Sequence, residues 1–280
     1  MLRHLPARRR FQSLVRQPEA ALDLAQAALC IAWEDQNTDN LEVTLQHIAA
    51  LVHDLRPRID AGVTPHDHVA AINAYLFEEC GFHGNTADYN DPANSFLDQV
   101  IARRTGLPIT LSVLYMEVGR RLGLPISGVA LPGHFLARYA TPIGAIYIDP
   151  FHGGKLWSAD ACAQQIIDAY GAASPALIRQ IMQPPTKRAI LARMLRNLKH
   201  TYVHMSDYQR ALGAVERILL LEPHTPQEVR DRGLLRLHLD DLHRALDDID
   251  QYVQAMPDAS DVMVLREQMR PIATFLASVN

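Results

Sequence analysis

The stretch GVALPGHFLARYATPIGAIYIDPFHGG, residues 128–154, contains two short β-type runs separated by turn residues. HFLARY and AIYIDP flank TPIG, so the pattern predicts a β-hairpin. A turn centred on TPIG pairs positions whose numbers add up to about 285. His134 begins the first run and Asp149 ends the second. In this register they share one face of the sheet as diagonal neighbours, roughly 7–8 Å apart at the backbone.

A His followed by an Asp at the width of a hairpin is typical of a nucleophilic catalytic site. The imidazole acts as the base and the carboxylate orients it. The same pair could instead be a structural hydrogen bond inherited from an enzyme ancestor, or it could retain a role in binding. The sequence therefore has to supply a nucleophile before the pair indicates an enzyme.

Composition limits the classes of function. The chain has 280 residues, of which 48% are hydrophobic and 21% charged, and a net charge of −4. This balance favours neither nucleic-acid nor membrane binding, and no apolar run approaches the roughly 18 residues of a membrane span. Three cysteines without a CxxC pair predict no disulfide framework and favour the reducing cytoplasm. The Arg-rich start, residues 1–18, is expected to be a solvated basic tail.

Helical patterns dominate the first half of the chain. Residues 18–60 read as helices beginning at Pro18, and Thr64 is expected to cap the next one. Residues 81–99 are rich in Gly, Asn, Asp and Pro, which predicts a long loop. Residues 106–123 then predict a helix with one apolar face.

The C-terminal part repeats with a period of 34 residues, the period of tetratricopeptide repeats. Ala211 lies 34 residues before Ala245, and Pro223 lies 34 before Pro257. The small alanine allows two helices to approach closely, and the proline ends the second helix of a unit. Lys199 does not fit the small residue expected in the first helix. The last segment, SDVMVLREQMRPIATFLASV, is expected to be a terminal capping helix.

Several long motifs together carry a family resemblance. YLFEECGFHGN, DPANSFLDQVIARRTGLPITLSVLYMEVGRRLGLPISGVALPGHFLAR, IDPFHGG, MLRNLKHTY and RDRGLL closely resemble bacterial transglutaminase-like proteins with tetratricopeptide repeats, often labelled regulators of sirC expression. The resemblance covers roughly residues 20–265. It implies an α+β fold class, mainly helical with a small antiparallel sheet in a transglutaminase and papain-like core. It places this domain and its N-terminal helices at residues 1–183, and the repeats with a capping helix at 184–280.

The resemblance also implies the parts of a catalytic site. In active relatives a cysteine opens a helix, a Gly-His pair starts a strand, and an Asp-Pro pair ends the next strand. His134 resembles the base and Asp149 the orienter. Counting back from the helix end at residues 122–125 places the cysteine at or near Pro108. The expected nucleophile is therefore missing.

Three side chains could replace the missing thiol. Thr110 and Ser112 follow in TGLPITLS and could present hydroxyls near the helix start, although such residues usually bond the backbone there. Cys80 could arrive from the preceding loop, or be a small buried filler.

The long loop offers Asn85, Asp91 and Asn94 as binding residues that shape a cleft, or as turn residues that bond their own backbone. We expect no metal and no cofactor, since His200 and His204 at one helix spacing lack a third ligand.

The sequence favours a cytoplasmic binding or regulatory protein whose transglutaminase-like domain is catalytically silent or much altered. Its partner would be a protein or peptide that contacts the repeats or the cleft, with no nucleic acid and no membrane; the oligomeric state is left open. The alternative is a hydrolase or acyltransferase on peptide-like amides. In that case Thr110 or Ser112 would attack, His134 would be the base and Asp149 would orient it.

Overall fold

The computed structural model describes residues 5–60 and 64–279. The helices are α1 Leu5–Val15, α2 Leu24–Gln36, α3 Leu41–Asp60, α4 Pro65–Asn73, α5 Leu97–Arg103, α6 Pro108–Leu122, α7 Ala159–Tyr170, α8 Pro175–Ile181, α9 Lys187–His204, α10 Tyr208–Leu221, α11 Pro226–His238, α12 Leu242–Ala255 and α13 Val262–Val279. The strands are β1 His83–Gly84, β2 Thr105–Gly106, β3 Ile126–Val129, β4 Leu136–Thr141, β5 Gly144–Asp149 and β6 Lys155–Trp157. A π-helical turn at Ala74–Glu79 follows α4, and 3₁₀ turns lie at Pro92–Ser95 and Pro150–His152.

These elements confirm the mainly helical α+β class with a small antiparallel sheet. The chain divides into two compact units, residues 1–194 and 195–280, with the division inside α9. The boundary expected after residue 183 stays a prediction.

The four-stranded sheet is antiparallel, in the order β3-β4-β5-β6. Ala137 lies opposite Ile148, and Thr141 lies opposite Gly144, so paired residue numbers add up to 285 as predicted. The expected hairpin and its register are confirmed. Residues 142 and 143 form the two-residue loop, in which Ile143 is fully exposed.

Helix α6 is the buried element that supports this sheet. It packs on β3, on β4 and on the 3₁₀ turn that follows β5. Ser112, in its second turn, donates a hydrogen bond to the Phe135 carbonyl at 3.3 Å. Residues four apart share one helix face. Pro108 is the first residue of α6 and lies one turn before Ser112. It therefore shares the helix face that contacts the start of β4.

Helix starts follow their capping side chains. Thr64 caps α4 as expected, and its backbone N–H donates to Asp67 in a capping box at 2.8 Å. The predicted start of the first long helix at Pro18 is wrong. Helix α2 begins after Asp23, whose carboxylate accepts the Gln26 N–H at 2.9 Å.

The expectation of a solvated N-terminal tail is also wrong for residues 5–15, which form α1. Phe11 is completely buried, and Arg8 donates to Glu34 of α2 at 2.8 Å. A buried aromatic ring and a partly buried ion pair offset the entropy of ordering this segment. Residues 1–4 of the expected tail lie outside the described residues.

The predicted loop at 81–99 is only partly irregular. It contains strand β1, which pairs in parallel with β2, the 3₁₀ turn Pro92–Ser95 and the start of α5. The loop is therefore anchored at both ends by hydrogen-bonded structure.

The second unit contains the predicted helix pairs. Ala211 in α10 and Ala245 in α12 are completely buried, and Pro223 and Pro257 each lie two residues after their helix ends. A Cβ on Gly233 of α11 would lie 3.0 Å from side chains of α12. The small residue therefore permits the close approach of the two helices, and α13 follows at the position expected for the capping helix.

Lys199 stands where the repeat pattern expects a small residue. Its ammonium is buried and donates to Glu228 at 2.9 Å and to Asp231 at 2.7 Å. These two carboxylates compensate the burial of the charge.

Candidate functional site

His134 and Asp149 meet as the sequence predicts. His134 lies two residues before β4 and Asp149 is the last residue of β5. Nε2 of His134 donates to Oδ2 of Asp149 at 2.8 Å. The hairpin register brings the backbones close, and the two side chains close the remaining gap.

A second histidine, His152, completes this group. Its Nδ1 also donates to Oδ2 of Asp149, at 2.8 Å. Oδ1 of Asp149 accepts the backbone N–H groups of Phe151 at 3.1 Å and His152 at 3.3 Å. The carboxylate thus accepts four hydrogen bonds, and all four hold it in one orientation.

Asp149 remains charged although it is completely buried. Burial acts to raise the pKa of its carboxyl, but the hydrogen bonds from His134 and then His152 outweigh it and lower the pKa below its usual value. The carboxylate is therefore anionic at neutral pH.

Aromatic rings surround His134. The indole of Trp157 stacks on the imidazole with centroids 5.7 Å apart, and the ring of Phe151 meets it edge-on at 6.3 Å. The side chain of His134 is 12% exposed. Its Nδ1 makes no hydrogen bond to the described residues and is not among their fully buried unpaired atoms, so it is open to water or a ligand.

Arg193 positions the loop that carries His134. One guanidinium nitrogen donates to the carbonyls of Leu131 at 2.8 Å and His134 at 2.7 Å. The guanidinium also lies over the ring of Phe135, 5.6 Å from its centroid. Burial lowers the pKa of Arg193, whose place here is to orient backbone carbonyls.

The turn after β5 is fixed from the other side. Asn73 donates to the carbonyl of Gly154 at 2.8 Å and accepts from the hydroxyl of Tyr115 at 3.1 Å. Gly154 has a φ of +79°, and a Cβ there would lie 2.4 Å from the Asn73 side chain. Glycine is required at this position both by the backbone and by the close approach.

Neither candidate hydroxyl makes a hydrogen bond to His134 in the structure. Ser112 donates to the Phe135 carbonyl, and Thr110 Oγ1 is a buried atom without a hydrogen-bond partner. Pro108 begins α6 and offers no nucleophile. Of the four predicted catalytic residues, the structure brings together His134 and Asp149.

The cysteines are also separate from the pair. Burial raises the pKa of Cys30 to about 12 and, as the largest effect, that of Cys162 to about 11, so both are protonated at neutral pH. Half-buried Cys80 follows the π-helical turn and interacts with Tyr75. None of the three is hydrogen-bonded to His134 in the described chain.

The three loop residues hold the loop together. Asn85 donates to the side chain of Asn94 at 3.1 Å, and Asn94, completely buried, donates to the Asp88 carbonyl at 2.7 Å. Asp91 caps the 3₁₀ turn and pairs with Arg103 at 2.7 Å. This is the turn-forming alternative; a binding role for Asn85, Asp91 and Asn94 stays a prediction.

Sequence reasoning missed His152, Trp157 and Arg193. His152 could have been found, since it follows Asp149 by three residues in DPFH, the spacing of one helical turn. The other two come from a separate strand and a separate helix, and no local pattern indicates them.

Comparisons with known proteins agree with this architecture. A family model described as the transglutaminase-like superfamily matches residues 42–196, and a tetratricopeptide-repeat model matches residues 198–270. A UPF0162 protein of Xylella fastidiosa (strain Temecula1 / ATCC 700964) is 38% identical over 261 residues, covering 91% of this chain and 92% of that protein. UPF0162 protein YchA of Escherichia coli (strain K12) is 29% identical over 212 residues, covering 74% and 77%.

A more distant match is F-box only protein 21 of Mus musculus, 33% identical over 181 residues, covering 60% of this chain and 28% of that protein. No solved structure matches the chain significantly. None of the helices in the described parts of the chain is long and apolar enough to cross a membrane. Because the UPF0162 protein matches over nearly the whole chain and both family models match in sequence order, the chain belongs to the UPF0162 family of the transglutaminase-like superfamily.

Proposed function

We propose that this protein is a non-catalytic binding or regulatory protein built on a transglutaminase-like domain. The observation that carries the proposal is the start of α6. Proline occupies its first position, and the nearby hydroxyls of Thr110 and Ser112 make no hydrogen bond to His134. A base without a nucleophile cannot form the covalent intermediate of this chemistry.

The site retains features suited to holding a ligand. Nδ1 of His134 is open, and aromatic faces of Trp157 and Phe151 lie on two sides of the ring. An imidazole nitrogen can exchange a hydrogen bond with a backbone amide, and aromatic rings pack against side chains. We expect a peptide or protein segment to bind here without being cleaved.

The repeats support the same kind of role. Tetratricopeptide repeats generally mediate protein–protein interactions, because their helix pairs form grooves for peptides or helices. We therefore expect a protein partner to contact the repeats, and we expect the protein to act in the cytoplasm.

One observation favours the alternative of a hydrolase or acyltransferase. Thr110 has a buried hydroxyl without a partner, in the first turn of the helix where the nucleophile is expected. A rotation of that side chain would be needed to bring the hydroxyl to His134.

The test compares turnover by the wild type with turnover by His134→Ala and Thr110→Val. The substrates are an activated acetyl ester and a peptide amide with a primary amine as acceptor. We expect equal, background rates in all three proteins. A rate that falls about 100-fold or more in His134→Ala, the usual contribution of a general base, would establish the enzyme instead.

A further inference from the structure

We propose that Nε2 of His134, Oδ2 of Asp149 and Nδ1 of His152 bind one divalent transition-metal ion, for which zinc is the best fit. This site goes beyond the proposed function. Its test measures zinc binding, whereas the test of the proposed function measures substrate turnover, so either can fail without the other.

The first support is convergence. The three ligand atoms all lie within 4.8 Å of one another, and Oδ2 of Asp149 lies 2.8 Å from each imidazole nitrogen. Orienting a base requires one histidine on the carboxylate, whereas here two point at the same oxygen. Two imidazoles and a carboxylate are a ligand set of zinc and related metals, not of Mg²⁺ or Ca²⁺.

The second support is the size of the group. Zinc bonds of about 2.0–2.1 Å in a tetrahedral site separate ligand atoms by about 3.3 Å. Each of the two nitrogen–oxygen distances would lengthen by about 0.5 Å when the ion replaces the hydrogen bonds. The two imidazole nitrogens, which lie no more than 4.8 Å apart, would also settle at about 3.3 Å from each other. The side chain of His152 is 53% exposed, so it has room to make this movement.

The third support is the chemistry of the ring nitrogens. Each imidazole must offer a lone pair where it now donates N–H, so its proton moves to the opposite ring nitrogen. Nδ1 of His134 and Nε2 of His152 make no hydrogen bond to the described residues, so each can carry that proton in contact with water.

The protein also orients the group as metal sites require. Asp149 and His152 come from a single turn at a spacing of three, and His134 comes from the neighbouring loop. The backbone N–H groups of Phe151 and His152 hold Oδ1 of the carboxylate. Such outer contacts fix ligand orientation, and the exposed side of His152 leaves the fourth position to water.

The experiment titrates the full chain, without a histidine tag, with Zn²⁺ in competition with a chromophoric chelator. Co²⁺ absorption reports the coordination geometry. We expect one ion per chain and a tetrahedral Co²⁺ spectrum. His152→Ala should weaken binding by about 10- to 100-fold or more, since even an outer-shell change has that effect.

His152→Ala is preferred to a change at Asp149, which is completely buried and could prevent folding. Unfolding in urea verifies that the variant folds. The matched control is His200→Ala with His204→Ala, which removes an exposed pair of histidines spaced by one helical turn. The proposal is overturned if wild type binds no zinc, if His152→Ala binds as tightly as wild type, or if the control variant loses the ion.

Discussion

Replacing Pro108 with cysteine should create a thiolate at the start of α6, where the family resemblance places the nucleophile. Pro108 begins a 15-residue helix whose N-cap, Leu107, supplies no side-chain hydrogen bond. The first N–H groups of α6 are therefore available to an anion, and the helix dipole favours negative charge there. Ser112, one turn further on the same face, contacts the backbone next to His134.

The expected size of the effect follows from these neighbours. A free thiol has a pKa of about 8.5, and helix N-termini or a cationic histidine lower it to about 3.5–7.5. We expect the new thiol to ionise at about 7 or below. A shift of about 1.5 pKa units is worth about 2 kcal/mol. A thiol that is only buried behaves in the opposite way, as Cys162 shows with a pKa raised to about 11.

The assay is the rate of alkylation by iodoacetamide against pH, followed by mass spectrometry. Cys80→Ser removes the half-buried native thiol, and the two buried cysteines serve as internal unreactive controls. The matched variant adds His134→Ala to Pro108→Cys. An inflection at or above about 8.5, or one that does not rise in the matched variant, would contradict the expectation that residue 108 lies close to His134.

Gly154→Ala should cost about 2 kcal/mol or more in urea unfolding, from a left-handed backbone and a clash with Asn73. Gly153→Ala, with φ +65° and nothing within 4 Å of its Cβ, should cost only the backbone strain. Lys199→Met leaves two carboxylates without their shared ammonium. Because Arg196 still pairs with Glu228 and Arg230 still pairs with Asp231, the free energy of unfolding should fall by about 1–2 kcal/mol. Because the folded-state pKa of Asp149 is lowered, its charge stabilises the fold above pH about 4 and loses that effect as the pH falls through the folded value. The destabilisation by Asp149→Asn should therefore shrink below pH 4 in acid-range unfolding curves.

Local patterns predicted the parts of the fold that local chemistry decides. The hairpin register follows from a two-residue turn, and Ala137 pairs with Ile148 as the position sum requires. Thr64 caps its helix because its hydroxyl accepts a hydrogen bond from the backbone N–H of Asp67 in the first turn. The 34-residue spacing of buried Ala211 and Ala245 likewise reflects one repeated helix pair.

The features that were missed depend on contacts between distant segments. Helix α1 is ordered by burial of Phe11 and by the ion pair of Arg8 with Glu34, neither of which its own basic sequence indicates. Lys199 departs from the repeat pattern, and the reason that a lysine is tolerated there is its ion pair with Glu228 of α11, 29 residues away in the sequence.

The candidate site shows the same division. His134 and Asp149 were predictable as a pair because one hairpin carries both. The stacking of Trp157 on His134 could not be predicted without the order of the strands in the sheet. Trp157 lies in β6, which pairs with β5 at the edge of the sheet. Where Thr110 and Ser112 direct their hydroxyls depends on packing around α6, which no spacing encodes.

The proposal that the site has no nucleophile is tested most directly by treating the wild type with a fluorophosphonate probe, which labels activated hydroxyls. Adducts are then mapped by mass spectrometry. Parallel samples carry His134→Ala and Ser112→Ala. We expect no adduct on residues 108–112 in any of the three proteins. An adduct on Thr110 or Ser112 that disappears in His134→Ala would show that the site is catalytic, and the non-catalytic function proposed for this protein would be wrong.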